Sequence, residues 1–239
     1  MLTEEKIRLN KFIAQSGVCS RRDADELIAA KKVTVNGIYA DPGTKVSEND
    51  TILIEGKPIK NRDKTVVLAY NKPIGVTCTE KDRFADKKIT DMIKYPVRVT
   101  YAGRLDKDSE GLILLTNDGD LIDKLMRGSK YHEKEYIVKI NREISPDFIE
   151  KMSKGIYIKD LDIKTRPCIV EKLGKFTFRI ILTQGVNRQI RRMCKALGCT
   201  VTALKRVRVA NIELANLKIG EYREISGNEL RSLYNLINK

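Results

Sequence analysis

Between Val66 and Leu214 lie seven β-type stretches, at Val66–Tyr70, Gly111–Thr116, Glu135–Ile140, Ile156–Ile158, Thr177–Leu182, Thr200–Leu204 and Val207–Leu214, with few helical segments among them. This run restricts the fold more than any other feature of the chain. Parallel neighbours need a crossover of about a dozen residues or more, usually a helix, so strands that follow one another without one must pair largely antiparallel. The spacing predicts an α+β domain with a mixed, largely antiparallel sheet rather than a doubly wound one. Helical periodicity is confined to Asp120–Met126 after an Asn-Asp-Gly turn, Asp147–Lys154, Gln189–Leu197 ending at Gly198, and Asn228–Asn238, with Leu230, Leu233 and Ile237 on one face.

Residues 4–57 follow a different pattern and read as a small module of their own. Ile7, Leu9, Phe12 and Ile13 have helical spacing up to Gly17, and Ser20 caps a second helix, Arg21–Ala30, with Ala24, Leu27 and Ile28 on one face. Val33–Val35, the turn dipeptide Asn36-Gly37 and Ile38–Ala40 then predict a hairpin, with a further strand at Thr51–Glu55. The polar stretch 58–64 reads as a linker and 65–239 as the second domain.

Composition removes several chemistries. The single histidine, His132, cannot build a zinc site of the HExxH or Cys2His2 kind, and neither GxxxxGK[ST] nor GxGxxG occurs, so neither cofactor nor metal is expected. Asp106, Asp108 and Glu110 alternate like a calcium loop with Gly111 at its sixth position, but position twelve is Asn117 and the intervening Leu112–Leu115 reads as a buried strand. Five cysteines scattered over distant segments fit free thiols. No apolar run approaches the ~18 residues of a membrane span, and MLTEEKIRLN lacks a signal-peptide pattern, so a cytoplasmic protein without membrane contact is expected.

Forty-six Lys and Arg against 32 Asp and Glu give a net charge of +14, which favours a polyanionic partner, nucleic acid above all. Residues 1–60 account for only +1 of it. Residues 172–212 hold ten Lys or Arg and no acidic residue, densest at Asn187–Lys195, and a solvated helix face normally mixes signs, so the tract reads as a phosphate-contacting surface.

The order R-L-N, apolar helix, S-R and V-T-V-N-G within IRLNKFIAQSGVCSRRDADELIAAKKVTVNG resembles the S4 RNA-binding domain. The resemblance implies that Arg8, Lys11, Arg21 and Arg22, read as lying on the two helices, meet structured RNA through phosphates and shape. In the second domain, GRLDKDSEGLILLTNDG resembles the active-site motif of the RsuA/RluB/RluF family of pseudouridine synthases. LAYNKPIGVTCT stands upstream of it, and HEKEY, LTQGVNRQIRRM, LKRVRV and IGEYREI stand downstream in the family's order. HEKEYIV, TRPC and RIILTQGVNRQIRRMC point to the RluF branch, which acts on large-subunit, 23S, ribosomal RNA.

That reaction breaks the bond from uracil N1 to ribose C1′, turns the base and rejoins it through C5, without cofactor or metal. It needs a carboxylate at the sugar–base junction and a group that helps remove the C5 proton. The motif match makes Asp106 the carboxylate, Arg191 its ion-pair partner and Tyr136 the aromatic that stacks on the extruded uracil. On local sequence alone Tyr136 reads rather as a core tyrosine of a strand, and only the motif order reverses that. Ile190 would cover another edge of the base, and Arg104, Asn187, Arg188, Gln189 and Arg192 would contact RNA. The expected partners are ribosomal RNA or a large-subunit assembly intermediate, with tRNA as a further candidate and the protein acting as a monomer. The rivals are a non-catalytic S4-type ribosome-assembly protein, against which an intact Asp106, Tyr136 and Arg191 argues, and a small-subunit RsuA-like synthase. Lys151-Met-Ser-Lys-Gly155 resembles the KMSKS signature of aminoacyl-tRNA synthetases, but the second histidine of their HxGH motif is missing, so it reads as a helix end at Gly155.

Overall fold

A computed structural model of the chain describes residues 6–59, 64–80, 82, 84–126 and 132–238. They cluster in two compact units, one made of residues up to Val66 with Tyr95–Val99 and Asn117–Gly119, the other of the remainder.

The first unit runs β1 (Ile7–Arg8), α1 (Leu9–Gln15), α2 (Arg21–Ala29), β2 (Val33–Val35), β3 (Ile38–Tyr39), β4 (Lys45–Val46), β5 (Ile52–Ile54) and β6 (Lys57–Pro58). Ser20 caps α2 as expected, its hydroxyl accepting the Asp23 N–H while the Asp23 carboxylate accepts the Ser20 N–H. Asn36 and Gly37 both take positive φ, 52° and 84°, as a two-residue hairpin turn requires. Leu9, Phe12, Ile13, Ala24, Ile28 and Val46 form the core.

Two expectations change here. Ile7 and Arg8 are not helical, because pairing with Val46 and Lys45 captures them in β1. Arg8 is therefore an exposed strand residue, while Lys11, Arg21 and Arg22 lie on the helices as expected. Ordered structure also runs into the stretch read as a linker, since β6 pairs with β5 and Ile59 packs on the core. Residues 60–63 of that stretch lie outside the described residues.

The second unit comprises β7 (Val67–Lys72), β8 (Thr100–Ala102), β9 (Glu110–Thr116), α3 (Gly119–Met126), β10 (Lys134–Ile140), α4 (Pro146–Ser153), β11 (Tyr157–Ile158), β12 (Ile163–Lys164), β13 (Ile169–Gly174), β14 (Thr177–Leu182), α5 (Gln189–Ala196), β15 (Val201–Val209), β16 (Ile212–Glu213), β17 (Tyr222–Glu224) and α6 (Gly227–Asn238). Its nine-stranded sheet has the order β13-β14-β10-β15-β9-β7-β17, with β16 on β15 and β8 on β9. All its pairings are antiparallel except β15 with β9, so the sheet is the mixed, largely antiparallel one expected.

Two cores flank the parallel pair. Val138, Phe148, Met152, Phe178, Ile180 and Met193 pack α4 and α5 onto β10 and β14; Val67, Leu112, Leu114, Leu121, Leu233 and Ile237 pack α3 and α6 onto β7 and β9. KMSKG is the end of α4, where Lys151 and Lys154 pair with Asp147 and Glu150 one turn earlier.

The strand reading needs correction in three places. Thr200–Leu204 and Val207–Leu214 are mainly one continuous strand, β15, followed by a turn and β16. Ile156–Ile158 supplies β11, which pairs only with β12 outside the main sheet. The edge strands β13 and β17, and β8, were not foreseen. In β13 only partial burial separates inward from outward residues, so no alternation marks it.

Candidate active site

Gly103–Ser109 forms the loop between β8 and β9. The Ser109 N–H closes it onto the Asp106 carbonyl at 3.1 Å, the Gly75 N–H donates to the Lys107 carbonyl at 2.7 Å, and the Leu105 N–H reaches Cys78 Sγ at 3.5 Å. Lys72, fully buried at the end of β7, braces the Pro73–Val76 turn from within, donating to the Pro73 and Val76 carbonyls at 2.9 Å each. Burial pushes its pKa down, against the fields of Cys78, Asp106 and Asp108.

The loop reaches the rest of the site through Gly111. Its φ is +106°, and a Cβ there would lie 2.2 Å from the Arg206 carbonyl oxygen and 2.7 Å from the Arg206 nitrogen. Only glycine lets β9 run beside β15 at this point, with Gly111 paired to Arg206.

Two arginines at the start of α5 grip the loop. Arg188 caps the helix in the left-handed conformation and donates to both Asp108 oxygens, at 3.2 and 2.9 Å, while its Nη1 stands 3.5 Å from Asp106 Oδ2. Arg191 donates to the Asp108 carbonyl at 2.9 Å and to Ser109 Oγ at 3.2 Å, and its Nε lies 4.0 Å from Asp106 Oδ2. The sequence expected Arg191 as the partner of Asp106; the structure gives Asp106 both arginines, Arg188 nearer. Asp108, read as structural, is their main anchor. Burial would raise its pKa, but the Arg188 hydrogen bonds and both arginine charges outweigh this and lower it.

Tyr136 faces Ile180 of β14 on one side and Arg206 of β15 on the other. The second pairing depends on a bulge: Glu135 opposes Arg208, Tyr136 opposes Arg206, and no residue of β10 stands opposite Val207. Two arginines two residues apart on a regular strand would share a face. The bulge separates them, leaving Arg208 on Glu133 and Glu135 and turning Arg206 into the cleft. This is where the sequence reading broke the strand.

Asp106, Tyr136 and Arg191, drawn from segments far apart in sequence, line one cleft of about 380 Å³. Arg104, Asn187, Arg188, Gln189 and Ile190 line it too. Arg192 lies off it, its guanidinium on Asp160 and the Asn187 carbonyl. Gln189 is buried, and its side-chain oxygen accepts the Val186 N–H, so it shapes the turn into α5 instead of reaching outward. The one-sign tract is also not a free basic surface. Lys175, Arg179, Arg188, Arg191, Arg192 and Arg208 all meet carboxylates supplied by residues outside the tract. Lys134 and Arg206, which also line the cleft, were missed. The signals were a lysine two residues before Tyr136, hence on its face of the strand, and an arginine inside an apolar β-type run.

A family model described as RNA pseudouridylate synthase matches residues 66–196, the stretch that builds most of this cleft, and an S4 domain model matches residues 7–52. The chain belongs to the RNA pseudouridylate synthase family. As a pseudouridine synthase it is an enzyme acting on uridine in RNA. This synthase is 44% identical over 239 residues to the dual-specificity RNA pseudouridine synthase RluF of Escherichia coli K12, covering 99% of the chain and 81% of that relative. It is 38% identical over 234 residues to the ribosomal large subunit pseudouridine synthase B of Bacillus subtilis, covering 95% of each. A crystal structure of a pseudouridylate synthase superposes on it with a TM-score of 0.70 at 28% identity, covering 95% of this chain and 99% of that one.

Proposed function

We propose that this pseudouridine synthase acts in the cytoplasm, as a monomer, on one uridine of 23S ribosomal RNA or of a large-subunit assembly intermediate. The observation that carries the chemistry is the convergence of Asp106, Tyr136 and Arg191 on one cleft. The large-subunit assignment draws on the relative named for the large ribosomal subunit, and the other relative is named for dual specificity. A second RNA substrate fits the name for dual specificity, and tRNA is our candidate for it.

In this reading the uridine leaves its stack, at an expense of a few kcal/mol, and enters the cleft. Asp106 acts at C1′ as the N1 bond breaks, with Arg188 and Arg191 standing 3.5 and 4.0 Å from its carboxylate. Tyr136 supplies a stacking face, with Ile190 against another edge of the base. Carbodiimide-blocked primer extension across rRNA and tRNA, from cells with and without the gene, tests the assignment. One site missing from 23S RNA is expected, and loss only from small-subunit RNA would overturn it.

Tyr136 separates stacking from proton transfer. Stacking on an aromatic platform contributes about 1–3 kcal/mol, and phenylalanine keeps it. Tyr136→Phe is expected to bind RNA like the parent and retain much of the rate, while Tyr136→Leu loses both. A Tyr136→Phe protein that binds normally but stalls with adducted uridine would assign the hydroxyl to the C5 proton. Parental behaviour of both variants would place Tyr136 outside the reaction.

Removing Arg8, Lys11, Arg21 and Arg22 together is expected to weaken RNA binding and flatten log K against log salt by roughly one unit for each phosphate no longer neutralised. An unchanged slope would mean that these residues do not touch RNA.

A further inference from the structure

Six arginines lie in the tract 172–212, and five of them, Arg179, Arg188, Arg191, Arg192 and Arg208, have a carboxylate partner. Arg206, only 3% exposed, has none among the described residues. Its Nε donates to the Leu112 carbonyl at 2.6 Å, and its Nη2 is buried with no hydrogen-bond partner among the described residues. A guanidinium kept from water with an unused donor is unfavourable by itself, and the natural partner is an anion that arrives in the cleft.

A second cation stands beside it. Lys134, on the neighbouring strand and on the face of Tyr136, lines the same cleft and makes one long contact among the described residues, 3.4 Å to the His132 carbonyl. Burial, and then the charge of Arg206, push its pKa down to about 8. The charged and titratable groups around the cleft are Tyr136 from β10, Arg206 from β15, Arg104 and Asp106 from the loop before β9, and Arg188 and Arg191 from α5. Glu133 and Glu135, its nearest acidic neighbours in sequence, are held by Arg208.

We infer that Lys134 and Arg206 form an anion site for the carbonyl oxygens of the detached uracil, stabilising the negative charge the base carries between bond cleavage and rejoining. This rests on the uridine isomerisation proposed above. When the N1–C1′ bond breaks, its electron pair stays on the base and spreads over N1, O2 and O4, leaving C1′ electron-poor beside Asp106. The ammonium and guanidinium donate hydrogen bonds to that charge without giving up a proton. The charge is drawn back as C5 bonds to C1′; the C5 proton is then lost to water and N1 takes one up, so that the isomerisation balances. A backbone phosphate suits exposed cations such as Arg104 and Lys107. Lys134 and Arg206 instead share the cleft with Leu182 and Leu204, and Arg206 stands directly across from Tyr136, where the flat base is proposed to lie.

The test uses the full-length protein and 23S RNA carrying tritium at uridine C5. Lys134→Met is expected to slow single-turnover tritium release by about 10²-fold or more, the scale of losing one donor to developing charge, with RNA affinity within about threefold of the parent and an unchanged melting temperature. Lys134→Arg is expected to recover most of that rate. The reaction needs the protonated amine, so kcat/KM of the parent is expected to fall about tenfold per unit above pH about 8, and Lys134→Arg to move this limb upward. Arg206 also holds the Leu112 carbonyl, so its test is Arg206→Lys, expected to slow release by about tenfold or more at unchanged affinity and melting temperature. A Lys134→Met protein with the parental rate at saturating RNA, or with weaker binding and a salt slope shallower by about one unit, would make Lys134 a bystander or a phosphate ligand and overturn the inference. So would an alkaline limb that Lys134→Arg leaves in place. A parent that releases no tritium from ribosomal RNA would instead overturn the isomerisation reading, and the anion site with it.

Discussion

Replacing Asp106 with asparagine is expected to abolish tritium release from RNA labelled at uridine C5, a loss of more than about 10³-fold or about 4 kcal/mol of barrier, while fold and RNA affinity stay near the parent's. The amide matches the carboxylate in size, and the side chain is about a third exposed, so its charge is not needed for packing. Nor does its loss strand a cation. Arg188 keeps its two hydrogen bonds to Asp108, and Arg191 keeps the Asp108 carbonyl and Ser109. Appreciable turnover in Asp106→Asn would remove the residue from its assigned role. Arg191→Ala differs in kind, because it releases the loop from α5 as well as removing a charge, and is expected to lower both activity and melting temperature.

Gly111→Ala is expected to give the largest loss of stability. The methyl group would meet the Arg206 backbone at 2.2 Å, in a region of φ that side chains rarely adopt, and both partners are backbone in a sheet, so neither can swing aside. Strain of this kind is unfavourable by about 1–3 kcal/mol before the clash is counted. A total of about 3 kcal/mol corresponds to a fall of about 6–12 °C in melting temperature for a chain of this size. Activity is expected to fall with it, since the parallel pairing of β9 with β15 joins the Asp106 loop to Arg206. Gly174→Ala, where nothing lies within 4 Å of the added carbon, is the control. An unchanged melting temperature in Gly111→Ala would show that β9 and β15 do not approach as described.

The segments that build the site were legible because each is a local pattern. GRLDKDSEG, HEKEY and NRQIRRM mark a loop, a strand start and a helix start, and the resemblance set them in order. Arg188 and Asp108 were assigned to RNA contact and to structure, yet they pair with each other across 80 residues. Local composition cannot show such a pairing, because either charge is equally at home in water. The charge tract misled for the same reason: its acidic partners, among them Glu143, Glu171 and Asp160, lie outside residues 172–212.

The sequence by itself determined the α+β class, the hairpin at Asn36-Gly37, the capped helix at Ser20, the family and the candidate carboxylate, because these depend on hydrophobic period, turn chemistry and motif order over short spans. Only the tertiary structure decided that β15 is one strand, that a bulge at Val207 sends Arg206 to one face and Arg208 to the other, and that Arg206 is buried without a carboxylate among the described residues. The direction of a side chain at a bulge is set by register against the neighbouring strand, and the part of β10 that faces this bulge lies about seventy residues earlier in the chain.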